Sequence, residues 1–331
     1  MDLDAYTAAH NPDWERLDAL SSRRSLSGAE ADELITAYQG GATGLSAIKT
    51  TAGSTVQGDR LSVSLSRARG RFTAPSANLF SLVPRFFVLQ LPAALWRLRW
   101  LTLAVAVVTV IIAALYAWWA LGDPQVLASF GTEEQRRALV DEKFVGYYSE
   151  NPAASFAGAV WTNNAWVAAQ CIALGITGFF VPYVIIGNAM NIGVSAGIMF
   201  AYGRGDVFFQ YILPHGLLEL SCVFVAAAAG LRIFWAWIAP GARTRGQALA
   251  EDARALFIVA IGLAIALFVS GIIEGFVTPS PLPWPVKLAI GVVAAGLFYT
   301  YMLVVGRRAA RAGETGDMGE FEAGARQLIA G

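Results

Sequence analysis

Only two histidines occur in 331 residues, and one of them, His215, lies in the string ILPHGLLELSC with Glu219 four residues on. On a helix that spacing places an imidazole and a carboxyl on one face, one turn apart. A second acid, Glu274, lies in SGIIEGF, and both strings are apolar enough to enter a bilayer. An ionisable side chain among lipid tails is costly, and it usually faces a bundle interior or a wet cavity. His215, Glu219 and Glu274, with the amides of Asn163, Asn164, Asn188 and Asn191, are therefore the residues from which a polar cavity would be built. Such a cavity would accept a proton, a cation or a peptide amine. One alternative is a set of interhelical hydrogen bonds worth about 0.6–2 kcal/mol each. The other is simple wetting near the interface.

Other chemistries fail on their context. GVSAG, residues 193–197, matches a nucleophile elbow around Ser195, but the elbow needs a strand–turn–helix setting and this string sits in an apolar helix. His215 and Glu219 supply half of a zinc-protease pattern, whose second histidine one turn away is missing, so no metal and no cofactor are expected. A phosphate-binding P-loop is absent, and the RGD string at 204–206 is short enough to arise by chance. Cys171 and Cys222 both fall in apolar runs and read as small buried hydrophobes.

The composition explains why the acids stand out. Hydrophobic residues make up 56% and charged residues 15%, well below the quarter typical of soluble domains. Mean hydropathy is +0.52, so much of the apolar surface must face lipid. The net charge of zero offers nothing to nucleic acid.

The elements that must position these residues are all helical. Residues 1–75 read as a small cytoplasmic helical module. Asn11-Pro12 would start a short first helix. Ser27 to Glu30 has capping-box spacing and opens a second, which Gly40-Gly41 would break, and a third follows over 55–72. Residues 76–98, with Pro84, Pro92 and arginines, suit an interfacial amphipathic elbow. Six spans are expected over 99–306: about 99–121, 160–179, 181–203, 214–238, 254–277 and 284–306, with Pro214 opening the fourth. Re-entrant half-helices are the alternative for the second and third. The fold class is thus an all-α, polytopic membrane bundle of six transmembrane helices, with an outer loop at 122–159 and a cytoplasmic tail at 307–331. Gly193 and Gly197, and Gly271 and Gly275, have the small-xxx-small spacing that lets helices approach, within one chain rather than across a dimer.

Arginines set the orientation. Arg85, Arg97 and Arg99 precede the first span, Arg232, Arg243, Arg245 and Arg254 flank the fourth-to-fifth connection, and Arg307, Arg308 and Arg311 follow the sixth. Those regions share one side in a six-span chain, and the positive side is cytoplasmic. On the other side, residues 122–159 carry six acids against three bases.

The order of these features resembles the stage II sporulation protein M family of bacterial integral membrane proteins. The resemblance rests on WTNNAWVAAQCIALGITGFF, GNAMNIGVSAG, ILPHGLLELSCVFVAAAAGLRI and SGIIEGFVTPS, with a soluble opening from WERLDALSSRR onward. The family commonly shows Asn-Gly where this chain has Asn188-Ala189 and Asn191-Ile192. The resemblance implies a bacterial inner-membrane protein that is not an enzyme. It implies a scaffold of the cell envelope, in contact with membrane lipid and recruiting wall-remodelling or other envelope membrane proteins. Two alternatives remain: a permease subunit working with an ATPase, or a proton-coupled transporter using the outer polar cavity. A homo-oligomer fits either.

The orientation is tested by labelling. In a chain lacking Cys171 and Cys222, a cysteine at Ser27 or Gly316 should react with a membrane-impermeant maleimide only after permeabilisation, and one at Glu134 without it. Labelling of the 27 and 316 positions from opposite sides would overturn the six-span reading.

Overall fold

The structure, a computed structural model, describes residues 3–23, 26–53, 55–73, 83–148 and 152–317. All regular structure among the described residues is helical. The chain divides into two compact units, Met1–Ser81 and Leu82–Gly331.

The first unit is three helices, α1 (Leu3–Ser22), α2 (Gly28–Ala52) and α3 (Val56–Thr73). Their apolar stripes meet in a core of Leu17, Leu20, Leu34, Ile48, Leu61, Leu65 and Ala68. The capping box forms: the Ser27 hydroxyl accepts from the Glu30 N–H while the Glu30 carboxylate accepts from the Ser27 N–H. Two breaks expected from the sequence are absent. Pro12 lies inside α1, where Tyr6, His10 and Trp14 stack along one face at four-residue spacing and hold the turns around the missing donor. Gly40-Gly41 leaves α2 continuous, because Gly41 gives room to Leu17 and Leu65.

The second unit is the bundle. Among the described residues, five helices are long and apolar enough to cross a membrane: Val83–Gly122, Phe180–Ala201, Gly205–Ile238, Arg245–Val277 and Trp284–Arg311. The first of these shows that the elbow is no separate helix. Residues 83–85 run through a π turn at Phe86–Gln90 into α4 (Leu91–Gly122), with Pro92 in the first turn, where its absent N–H costs nothing; residues 76–82 lie outside the described residues. Short helices α5 (Pro124–Ser129) and α6 (Glu133–Ala138) lie in the connection that follows α4. The expected second span appears as α7 (Ala153–Ala173), shifted toward the N-terminus. Thr162, Asn163, Asn164 and Gln170 leave it less apolar than the other five. Then come α8 (Phe180–Ala201), α9 (Gly205–Ile238), α10 (Arg245–Ile272, continuing as a π turn over Ile273–Val277) and α11 (Trp284–Thr300), which runs on to α12 (Gly306–Arg311). Pro214 does not open its helix: α9 starts nine residues earlier and carries the proline inside it.

Glycines set the register. Gly275 of α10 lies on the Ala153 carbonyl and Gly271 on the Ala157 carbonyl, so α7 runs antiparallel to α10 from end to end. Gly193 and Gly197 seat α8 on Ala113 and Ala117 of α4. Gly230 of α9 meets the Cys171 carbonyl, and Gly306 meets the Pro92 carbonyl. The last contact places the start of α4 and the end of α11 at the same face of the bundle. Helix α9 is the axis: Cys222 and the run Val225–Ala229 are fully buried, and Cys171 packs beside them.

At that shared face an acid is buried and fully answered. Asp252, on α10, is 2% exposed and takes Arg97 of α4 at 2.9 Å and Arg232 of α9 at 3.3 Å. Arg97 also donates to the Thr315 carbonyl, and Arg254 holds Asp317 with two hydrogen bonds of 2.7 and 2.8 Å. The segment after α12 is thereby tied across the end of the bundle.

The glycine contacts carry a prediction. A Cβ at Gly230 would lie 2.1 Å from the Cys171 carbonyl oxygen, a clash with backbone. Gly230→Ala should destabilise the chain in detergent by about 1–3 kcal/mol, as overpacking does. Gly187→Ala, where a methyl meets open space, should leave the melting temperature unchanged or raise it. Equal melting temperatures for the two variants would show that the α7–α9 contact is not tight.

Candidate functional site

The N-terminal part of α9 and the C-terminal end of α10 bring three ionisable side chains together. His215 sits in the third turn of α9 and Glu219 one turn further along; Glu274 lies in the π turn that ends α10. One ligand atom from each lies within 4.8 Å of the other two. The His215 Nε2 is 3.8 Å from the Glu274 Oε1. His215 and Glu274 are each 4% exposed; Glu219 is half-buried, but its Oε2 is sealed from solvent.

The π turn explains how Glu274 reaches the cluster. Thr278 closes it by donating its N–H to the Ile273 carbonyl at 2.9 Å, and its hydroxyl donates to the same carbonyl at 3.3 Å. The same hydroxyl lies 3.2 Å from His215 Nδ1. That bond orients the imidazole so that Nε2 points toward Glu274. Ser270 donates to the His215 carbonyl at 3.1 Å and locks α9 to α10 just below. Lys287 of α11 is buried nearby, and its ammonium donates to the Thr278 carbonyl at 2.6 Å. The hydrogen-bond partner found for His215 is thus Thr278 rather than Glu219, its neighbour on the same helix face.

Two carboxylate oxygens in the cluster, Glu219 Oε2 and Glu274 Oε2, are buried with no hydrogen-bond partner. Asn164 of α7 is the amide that faces Glu219. The other three predicted amides lie elsewhere. Asn188 donates back to the Val184 carbonyl of its own helix at 2.9 Å. Asn163 and Asn191 are exposed on the outside of the bundle. Gly271 and Gly275 seat α7 beside the cluster, whereas Gly193 and Gly197 belong to the α4–α8 contact.

The connection between α4 and α7 covers the site. Arg136 is buried and donates to the carbonyls of Leu127 and Gly131 and to the Tyr202 hydroxyl, which pins α5 and α6 onto the end of α8. The chain then lays Phe144 against Phe208 and Tyr211, and Tyr148 against Tyr211, Phe156 and His215, the last at 5.8 Å between ring centres. Burial pushes the Tyr148 hydroxyl well above its ordinary range, so the ring stays neutral over the acids. Thr278 and Tyr148 were missed from the sequence. Thr278 lies 63 residues from His215, and Tyr148 sits in an acidic loop, so neither signals a contact with the histidine.

A family model described as a domain of unknown function (DUF8413) matches residues 4–74, the three-helix unit. No curated protein and no solved structure matches the chain. A second family model, Stage II sporulation protein M, matches residues 102–279, which run from the first span through the His215, Glu219 and Glu274 cluster to Thr278. This membrane-embedded helical chain belongs to the stage II sporulation protein M family.

Proposed function

We propose that the chain is a multi-pass protein of the bacterial inner membrane that organises partner proteins of the cell envelope without transforming a substrate, with both termini cytoplasmic. The observation that carries this reading is the position of Asn163 and Asn191. Each lies near the middle of a helix of 21 or 22 residues, and each is exposed on the outside of the bundle. An amide on the lipid face at mid-helix lacks a hydrogen-bond partner among acyl chains, and a partner helix supplies one.

Two further features support it. The arginine-rich regions fall at the face where α4 begins and α11 ends, which fits the positive-inside bias. At that face a groove between α4 and α11 has Leu103, Ala106 and Leu303 along its floor and Arg99, Arg307, Arg308 and Arg311 about its rim, the chemistry of an anionic phospholipid. A second reading, a proton-coupled carrier or a permease subunit paired with an ATPase, draws on the buried acids Glu219 and Glu274.

Photoreactive residues at positions 163 and 191 in native membranes should give protein adducts. Asn163→Leu with Asn191→Leu should reduce co-isolation of the adducted envelope partner at least about tenfold, the loss of about 1.4 kcal/mol, at unchanged chain level. Adducts of chain dimer mass would identify the partner as a second copy. Lipid adducts alone would defeat the reading, as would loss of substrate uptake into proteoliposomes in Glu219→Gln with co-isolation intact.

A further inference from the structure

The bundle holds buried acids at its two ends, and they are treated differently. Asp252 receives two guanidinium groups. Glu219 and Glu274 receive none, and each leaves one buried oxygen without a partner. Lys287, buried on α11, donates its ammonium to the Thr278 carbonyl. The Thr278 hydroxyl orients His215 so that its Nε2 faces the same space. Nε2 and the carboxylate oxygens of Glu219 and Glu274 therefore converge within 4.8 Å of one another; Glu219 bonds to Glu274 and to Asn164, and a positive centre between the three side chains would satisfy the two buried oxygens left over.

We propose that His215 Nε2, Glu219 and Glu274 are the ligands of a first-row divalent cation of the zinc class, bound within the bundle beneath Tyr148. The donor set argues for this class. Calcium and magnesium take oxygen ligands throughout, whereas an imidazole nitrogen with carboxylates suits zinc and its neighbours. The spacing argues likewise. Bonds of about 2.1 Å in a tetrahedral site put ligand atoms about 3.4 Å apart. The observed 3.8 Å and the outer bound of 4.8 Å need only a modest turn of the two carboxyl groups to close. Sequence alone pointed away from zinc because a second histidine is missing from α9. Glu274, brought in by the π turn of α10, fills that role from another helix. The Thr278 hydroxyl on Nδ1 is the outer hydrogen bond that a metal-bound histidine regularly makes. Three protein ligands leave a position open to solvent or to a group from a partner, and the ion would bind α9 to α10 where these side chains converge. This inference stands apart from the partner-binding reading, which rests on Asn163 and Asn191.

The test uses the full chain, purified in detergent through a tag that contains no histidine, stripped with chelator, reloaded with Zn2+ and freed of excess. Elemental analysis should find about one zinc per wild-type chain and less than about a tenth as much in Glu274→Gln, Glu219→Gln and His215→Ala. Glu142→Gln, an exposed acid of the connection between α4 and α7, should retain the wild-type content. Thr278→Val, which removes the positioning hydrogen bond, should weaken zinc binding by about 10–100-fold. Because a ligand variant that misfolds would also lose zinc, wild-type chain loaded with Co2+ provides a second measurement. Its visible absorption should carry the intense bands of a four- or five-coordinate nitrogen–oxygen site. A wild-type chain that keeps no zinc, zinc retained equally by Glu274→Gln, or the weak spectrum of hydrated Co2+ would each overturn the assignment; the first of these would leave a proton shared between the acids.

Discussion

A charge taken out of water inside this bundle has to be answered by a charge or a hydrogen bond from another helix, and the architecture follows from how that is done at each face. A buried acid left alone is strongly unfavourable, and removal of one partner from such a pair typically costs about 3–5 kcal/mol. Asp252 meets the demand by recruiting α4 through Arg97 and α9 through Arg232. Three helices that share no sequence neighbourhood are thereby fixed at one face. At the opposite face the same two helices, α9 and α10, converge again, through Ser270 on the His215 carbonyl and through the histidine and its acids. Helix α9 is therefore held at both ends against α10. Its middle is alanine and glycine, Ala226–Gly230, and neighbours press onto it backbone to backbone.

The division between ends and middle has a simple cause. Lipid offers no hydrophobic drive for one apolar helix to prefer another over acyl chains, so close packing and polar contacts do the selecting. The glycines provide the packing: Gly230 on Cys171, Gly275 on Ala153 and Gly306 on Pro92. The polar contacts give the order of the helices. The aromatic cover adds a third layer, since Phe144 and Tyr148 reach the bundle only because buried Arg136 organises the short helices before them.

Much of this was legible in the residues, and the limits have physical causes. The Ser27–Glu30 box is local, and it forms as its spacing says. Long apolar runs announced the spans. Helix α7 was read seven residues late because AASFAGAV is small rather than strongly apolar, and it becomes a helix by fitting under Gly271 and Gly275. Prolines were read as starts in α1 and α9, where tertiary contacts carry the helix through them. Adjacent residues on a helix point about 100° apart, so Asn163 and Asn164 could not both face one cavity. Asn164 faces Glu219 and Asn163 faces outward, a choice fixed by neighbours the sequence does not reveal. The gathering of His215, Glu219 and Glu274 was legible from their being ionisable groups in apolar strings; the histidine's partner, Thr278, was not.

The bracing around Asp252 also bears on how the protein is made. Arg97 leaves the ribosome 155 residues before Asp252 and 218 before Thr315, the two groups that hold it. During synthesis the guanidinium of the first long helix has to remain at the aqueous edge, solvated, while the five later helices of the bundle insert. Only when the segment after α12 has emerged do Arg97 and Arg254 gain their contacts with Thr315 and Asp317. Nascent chains stopped short of residue 317 would carry every span and still lack the final latch.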